Sequence, residues 1–179
     1  MAHPQQQQYI ETIRKKIPDK FINCKVLDVG SLDINGNNRR YFSNYTYTGI
    51  DVAPGRNVDI VSTGHEYTSS ELYDVVISTE CFEHDRHYKL TLKNCVALLK
   101  PGGMFIFTCA TTGRPEHGTK KTTPQDSPLT IQIKDWEDYY KNLTEQDVRD
   151  VLDVNSIFNM YEFSIGHETH DLYFYGIKQ

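Results

Sequence analysis

The chain has 179 residues, 38% of them hydrophobic and 24% charged, the composition of a folded domain rather than of a disordered chain. At this length one domain spanning 1–179 is expected, able to bury about 70% of its unfolded surface without disulfide or metal staples. Nineteen basic against 24 acidic side chains give a net charge of −5, so no basic surplus is present to neutralise the phosphates of nucleic acid.

Taken in chain order, Tyr9, Ile10, Ile13 and Ile17 recur at helical spacing and predict an amphipathic helix over 5–17, stopped by Pro18. Lys25–Val29 reads as a buried strand ended by Gly30. Further strands are expected at 45–52, 58–61, 74–78 and 104–108. Their apolar runs are nearly continuous, as in a parallel sheet covered on both faces. A helix is expected over 87–99, closed by Lys100-Pro-Gly-Gly103. Residues 111–136 are rich in Thr, Pro and Gly, and a loop that long in a compact domain is usually functional. Thr144-Glu-Gln-Asp147 reads as the start of a helix running to about 152, and two aromatic-rich strands, 158–165 and 171–178, close the chain. The order βαβ…βαβ followed by a strand pair predicts an open α/β sandwich. Cys24, Cys81, Cys95 and Cys109 form no CxxC pair and are expected to be reduced core thiols. No apolar run approaches a membrane span, and the Gln-rich start is unlike a signal peptide, so a cytoplasmic protein with no membrane partner is expected.

In such a sheet, ligands sit beyond the carboxyl ends of the strands. Gly30 permits a tight turn there, whose exposed amides are expected to hold a carboxylate or phosphate. Asp51 ends the second strand about 20 residues after Asp28, the spacing at which an acid grips ribose hydroxyls. A dinucleotide loop requires glycine where this chain has Leu32, whose side chain would crowd a diphosphate. Asp28, ahead of the turn, suits a cationic ligand instead, such as the ammonium and sulfonium of S-adenosylmethionine.

Lys25-Val-Leu-Asp-Val-Gly30, Tyr47-Thr-Gly-Ile-Asp51, Tyr73-Asp-Val-Val-Ile-Ser78, Cys81-Phe-Glu-His84 and Leu98-Leu-Lys-Pro-Gly-Gly103, in this order, resemble a class I S-adenosylmethionine-dependent methyltransferase of the small-molecule type 11 or type 12 group. The terminal Asp171–Lys178 segment resembles that family's antiparallel last strand. The resemblance implies a Rossmann-like three-layer sandwich, its mostly parallel sheet having about seven strands. It also implies roles for single residues. Asp28, Gly30 and Ser31 would hold the methionyl end of the cofactor, with Ser78 and Thr79 lining it. Asp51 would bind the ribose and Val52 the adenine face. Thr63, Gly64 and His65 fall where the family meets the adenine edge, without the acid that many members carry at position 63.

Candidates for chemistry lie on the loops at the same sheet edge: Glu80, Glu83 and His84 after the fourth strand, Arg114, Glu116 and His117 after the fifth. His117, His84 and Glu80 are the expected bases, His84 having ordering of its loop as an equal alternative. Arg114 and Glu116 are expected at the acceptor, with Tyr139 and Tyr140 as pocket walls. Cys81, His84 and His87, and the pair His167 and His170, have spacings that metal ligands use, but neither shows the paired pattern of a zinc site, so no metal is expected. The pairs Arg39-Arg40 and Lys120-Lys121 read as solvated charge. The expected activity is methyl transfer from S-adenosylmethionine to oxygen or nitrogen of a small molecule, a sugar or acid intermediate for example, leaving S-adenosylhomocysteine. Residues 111–136 would be the lid, and a homodimer partner could complete it. The alternatives are a non-catalytic methyltransferase-like binding module and an NAD-dependent oxidoreductase.

Overall fold

The computed structural model describes residues 4–179. Helix α1 (Pro4–Lys16) buries Gln6, Ile10 and Ile13 and stops ahead of Pro18, which opens a 3₁₀ turn through Phe21. The strands are β1 (Lys25–Val29), β2 (Thr46–Asp51), β3 (Ile60–Val61), β4 (Tyr73–Thr79), β5 (Leu99–Ala110), β6 (Phe158–Gly166) and β7 (Asp171–Lys178). They form one sheet in the order β3-β2-β1-β4-β5-β7-β6. The pairs from β3 to β5 are parallel, whereas β7 runs antiparallel to both β5 and β6.

Alternation along each strand sends its apolar residues to two cores. Val26, Val75, Ile77, Met104 and Ile106 pack with Ile10, Ile13 and Phe21 on one face. Leu27, Val76, Phe105 and Phe107 pack on the other with helix α2 (Tyr88–Ala97), through Leu92 and Cys95, and with Val148. Sheet and two covering layers give the expected sandwich. All four cysteines are free thiols; Cys24, Cys95 and Cys109 are buried and Cys81 is half-buried. No described helix is long and apolar enough to cross a membrane.

Three local expectations fail for identifiable reasons. Lys100-Pro-Gly-Gly103 is not a loop after α2 but a bulge within β5: Leu99 pairs with Tyr73 and Met104 with Val75, so the extra residues loop out between them. The crossover from β1 to β2 holds no α-helix, only a 3₁₀ turn over Asn38–Tyr41. Asp33 captures the Gly36 amide (2.8 Å) and the Asn37 side chain (2.9 Å), local bonds that compete with a helical turn. The helix expected to reach about 152 ends early, as α3 (Glu145–Arg149), and a second short helix, α4 (Val154–Ile157), follows it, started by the Asp153 side chain.

Thr144 begins α3 with a capping box, its Oγ1 accepting from the Asp147 amide while the Asp147 carboxylate accepts from the Thr144 amide. Thr144→Ala is expected to cost about 1 kcal/mol, read as a lower urea midpoint at unchanged slope.

Residues 111–143 carry no α-helix, only 3₁₀ turns at Pro124–Asp126 and Thr130–Gln132. Backbone bonds pin the segment, from Lys120 to Glu137 (2.6 Å), Lys141 to Glu83 (2.9 Å) and Leu143 to Ala110 (2.9 Å). Buried Trp136 lies against His87, with ring centroids 5.7 Å apart.

Candidate functional site

A cavity opens beyond the carboxyl ends of β1, β2 and β4. Its walls are Gln6 and Ile10 of α1, the loop following β1, and Asp126–Thr130 with Trp136 from the long loop. Gly30 turns the chain at φ +78°, and a Cβ there would lie 2.5 Å from both Cβ and Sγ of Cys81, so only glycine fits. The amides of this turn are not exposed as expected. Gly30 and Ser31 both donate to the Ile50 carbonyl at 3.0 Å and Asp33 to Arg56 at 2.9 Å, while Leu32 donates to Asp51 Oδ2 at 3.0 Å. With no helix after β1, the turn is stitched to the β2 side and its N–H groups are used within the protein.

The carboxylates remain. Asp28 is buried, accepting from the Tyr47 hydroxyl (2.5 Å) and the Asn38 amide (3.3 Å). Burial outweighs these bonds and pushes its pKa up to about 7. Asp51 accepts from the Leu32 and Val52 amides (3.0 and 2.8 Å), and burial again raises its pKa against the opposing amides. Val52 and Thr79 line the cavity, the Thr79 hydroxyl accepting from Asn38 at 3.2 Å.

Other expected contacts are turned elsewhere. Ser78 donates to the Val29 carbonyl (2.8 Å), tying β4 to β1 away from the cavity. Ser31 reaches the cavity but gives its hydroxyl to the Asn57 carbonyl (3.1 Å). In the 62–65 stretch only Ser62 and Gly64 face the space. Thr63 donates to Glu66 (2.7 Å) and His65 packs its ring, tilted, against that of His87 (4.3 Å between centroids).

At the end of β4 the chain passes through Glu80 at φ +53°, uncommon for a side chain of this kind. The strained residue accepts from Thr108 (2.9 Å) through Oε1, while Oε2 is buried without a partner. Such a backbone conformation persists only where the surrounding structure holds it in place. Beside it Glu83 and His84 are also buried, with both carboxylate oxygens and both ring nitrogens unpartnered. His117, from the long loop, packs its ring 5.1 Å from His84 and 5.0 Å from Tyr140, whose hydroxyl is buried and unpartnered. Burial raises the pKa of Glu80 and Glu83, and that of Glu80 rises further beside the charge of Glu83. It keeps His84 and His117 neutral.

Thus the expected residues Glu80, His84, His117 and Tyr140 do converge. Arg114 does not line the cavity: it donates to the Thr169 carbonyl (2.6 Å) and lies 3.5 Å from Asp171 Oδ1, an ion contact rather than a directed hydrogen bond. Glu116 accepts from Thr119 (2.8 Å), and Tyr139 hangs from the Trp136 carbonyl outside the cavity. Asn38, Gln6 and Arg40, all on the cavity wall, were not legible: Asn38 lies in a polar turn without pattern, and Arg40 looked like surface charge.

A family model described as a methyltransferase domain matches residues 1–151, and the chain belongs to that family. Among solved structures, 1,6-didemethyltoxoflavin-N1-methyltransferase of Burkholderia thailandensis, with 1,6-didemethyltoxoflavin and S-adenosylhomocysteine bound, is 15% identical at a TM-score of 0.61, covering 100% of this chain and 92% of that one. The N-methyltransferase NodS of Bradyrhizobium japonicum WM9, in complex with S-adenosylhomocysteine, is 14% identical at 0.61, covering 99% and 89%. At these identities the likeness is one of fold. A curated relative, the hybrid PKS-NRPs synthetase opdA of Penicillium oxalicum, is 28% identical over 54% of this chain, which spans 3% of that protein's length.

Proposed function

We propose that this chain transfers the methyl group of S-adenosylmethionine to an oxygen or nitrogen of a small-molecule acceptor in the cytoplasm. One observation carries the reading: a single cavity is lined by the buried carboxylate of Asp28 and the half-buried one of Asp51, at the ends of β1 and β2, and by Glu80 and His84 beyond β4, which keep uncommitted lone pairs. Asp28 takes the methionyl ammonium and Asp51, through lone pairs its amide partners leave open, the ribose hydroxyls. Gly30 lets the chain pass close to the methionyl end, and Val52 covers the adenine. During transfer the methyl–sulfur bond breaks with its electron pair going to sulfur, and the acceptor's lone pair forms the new bond. The sulfonium already carries a good leaving group, so alignment and exclusion of water do most of the work. Residues 111–136 supply the cover, through Asp126–Thr130 and Trp136.

Calorimetric titration tests this. Micromolar binding of S-adenosylmethionine and S-adenosylhomocysteine is expected, with none for NAD, together with slowed hydrogen exchange over residues 111–136 when the product binds. Preferred NAD binding would overturn the reading. A second reading, a binding module without turnover, is favoured by the internally satisfied amides of the Gly30 turn. Cofactor binding without turnover across oxygen and nitrogen acceptors would select it.

A further inference from the structure

The polar cluster beyond β4 holds more than its fold requires. The ligand atoms of Glu83, His84 and His117 all lie within 4.8 Å of one another. Glu83 is 0% and His84 4% exposed, yet neither carboxylate oxygen of Glu83 and neither ring nitrogen of His84 has a hydrogen-bond partner. An unsatisfied buried polar group costs about 1–3 kcal/mol, more when charged. Four such atoms in one place call for an occupant. A carboxylate–imidazole hydrogen bond would have been the simple remedy, and the side chains do not make one.

We propose that Glu83, His84 and His117 bind one divalent transition-metal ion. The backbone of Glu83 and His84 is fixed, since the Glu83 carbonyl accepts from the Lys141 amide (2.9 Å) and the His84 amide donates to the Cys81 carbonyl (3.0 Å). A Cβ at Gly118 would lie 2.6 Å from His84 Cε1, so the long loop is packed directly onto that ring. His117 Nδ1 lies 3.1 Å from the Pro115 carbonyl. It therefore carries the proton, leaving Nε2 as a lone pair, the outer hydrogen bond by which metal-binding histidines are oriented. Two imidazoles with a carboxylate suit manganese, iron, cobalt or zinc better than magnesium or calcium. Three protein ligands leave positions open, and because His84 lines the cavity an open position faces the acceptor end. Glu80, whose Oε2 is also buried without a partner, feels the charge of Glu83. Sequence reading missed the set because His117 comes from a different loop, and the spacings that drew attention involve Cys81, which abuts Gly30, and His87, which packs against His65.

The inference rests on the methyl-transfer reading and narrows its acceptor to one that offers an oxygen. A metal-bound hydroxyl is more acidic: its proton passes to solvent, the oxygen pair forms the bond to the methyl carbon, and the departing pair goes to sulfur.

The test uses the full chain stripped with EDTA. Cobalt(II) is titrated by visible absorption and manganese(II) by the loss of its free electron-spin signal. One equivalent is expected, with ligand-field bands, and His117→Ala and Glu83→Gln should each weaken cobalt binding at least about tenfold. His117 is on a loop and only part-buried, so its variant decides the matter if Glu83→Gln fails to fold by circular dichroism. No uptake of cobalt or manganese, or uptake unchanged in the folded variants, overturns the site. S-adenosylhomocysteine is titrated into the same samples. Product binding without metal uptake sinks only this inference, whereas metal uptake without product binding sinks the methyl-transfer reading.

Discussion

Gly30→Ala is expected to abolish measurable binding of S-adenosylhomocysteine and to lower stability by about 2–5 kcal/mol. Two separable costs add. The backbone sits at φ +78°, where an L side chain costs roughly 1–2 kcal/mol. The new methyl group then meets Cβ and Sγ of Cys81, each at 2.5 Å. That Cβ cannot swing away, so the backbone of one loop must shift, an overpacking cost of about 1–3 kcal/mol. Urea denaturation measures the loss and calorimetry the binding. The double variant Gly30→Ala/Cys81→Gly removes the collision and keeps the backbone strain, so it should recover about half of the stability. Wild-type affinity in Gly30→Ala would show that this turn does not hold the cofactor.

How far the sequence foretold this arrangement depends on whether a feature is local. Lys25–Val29, Asp74–Ser78 and the closing strand pair were legible because continuous apolar runs bounded by Gly, Pro or charge have few other uses. Asp28, Gly30 and Asp51 were legible because strand ends and one glycine fix their place. The fate of the turn amides was not, since it depended on Asp33 pre-empting a helix and on the Ile50 carbonyl standing opposite. The placement of Arg114 was not legible for the same kind of reason. Thr169, in the far turn after β6, and Asp171, which opens β7, lie against it, and nothing near Arg114 in sequence announces them. Glu80, Glu83, His84 and His117 could each be nominated as polar residues on the right loops. Their convergence in a buried, unpartnered group required the long loop to fold back over β4.

Asp28 makes product binding depend on pH, with a sign that can be worked out. Its pKa in the ligand-free protein is up to about 7, from an ordinary 3.8, because burial penalises the charged form. A group raised in this way stabilises the fold fully below about 3.8 and loses that contribution as pH rises through about 7. Binding an ammonium reverses the preference, since the charged carboxylate is then the one with a partner. Below pH 7 the ligand must displace a proton, so affinity for S-adenosylhomocysteine should be about tenfold weaker at pH 6 than at pH 8. Near pH 6 close to one proton should be released on binding. Calorimetry in buffers of different ionisation enthalpy measures both quantities. Asp28→Asn keeps shape and the bond to Tyr47 but carries no charge. Its affinity should be flat across this range and weaker at pH 8 by about 10- to 100-fold, the worth of one hydrogen bond to a charged group. Asp51 lines the same cavity but meets the neutral ribose hydroxyls in this reading, so Asp51→Asn should weaken binding without removing the slope. Should Asp28→Asn retain the wild-type slope, the ammonium lies elsewhere, and the exchanged proton belongs to another of the buried carboxylates.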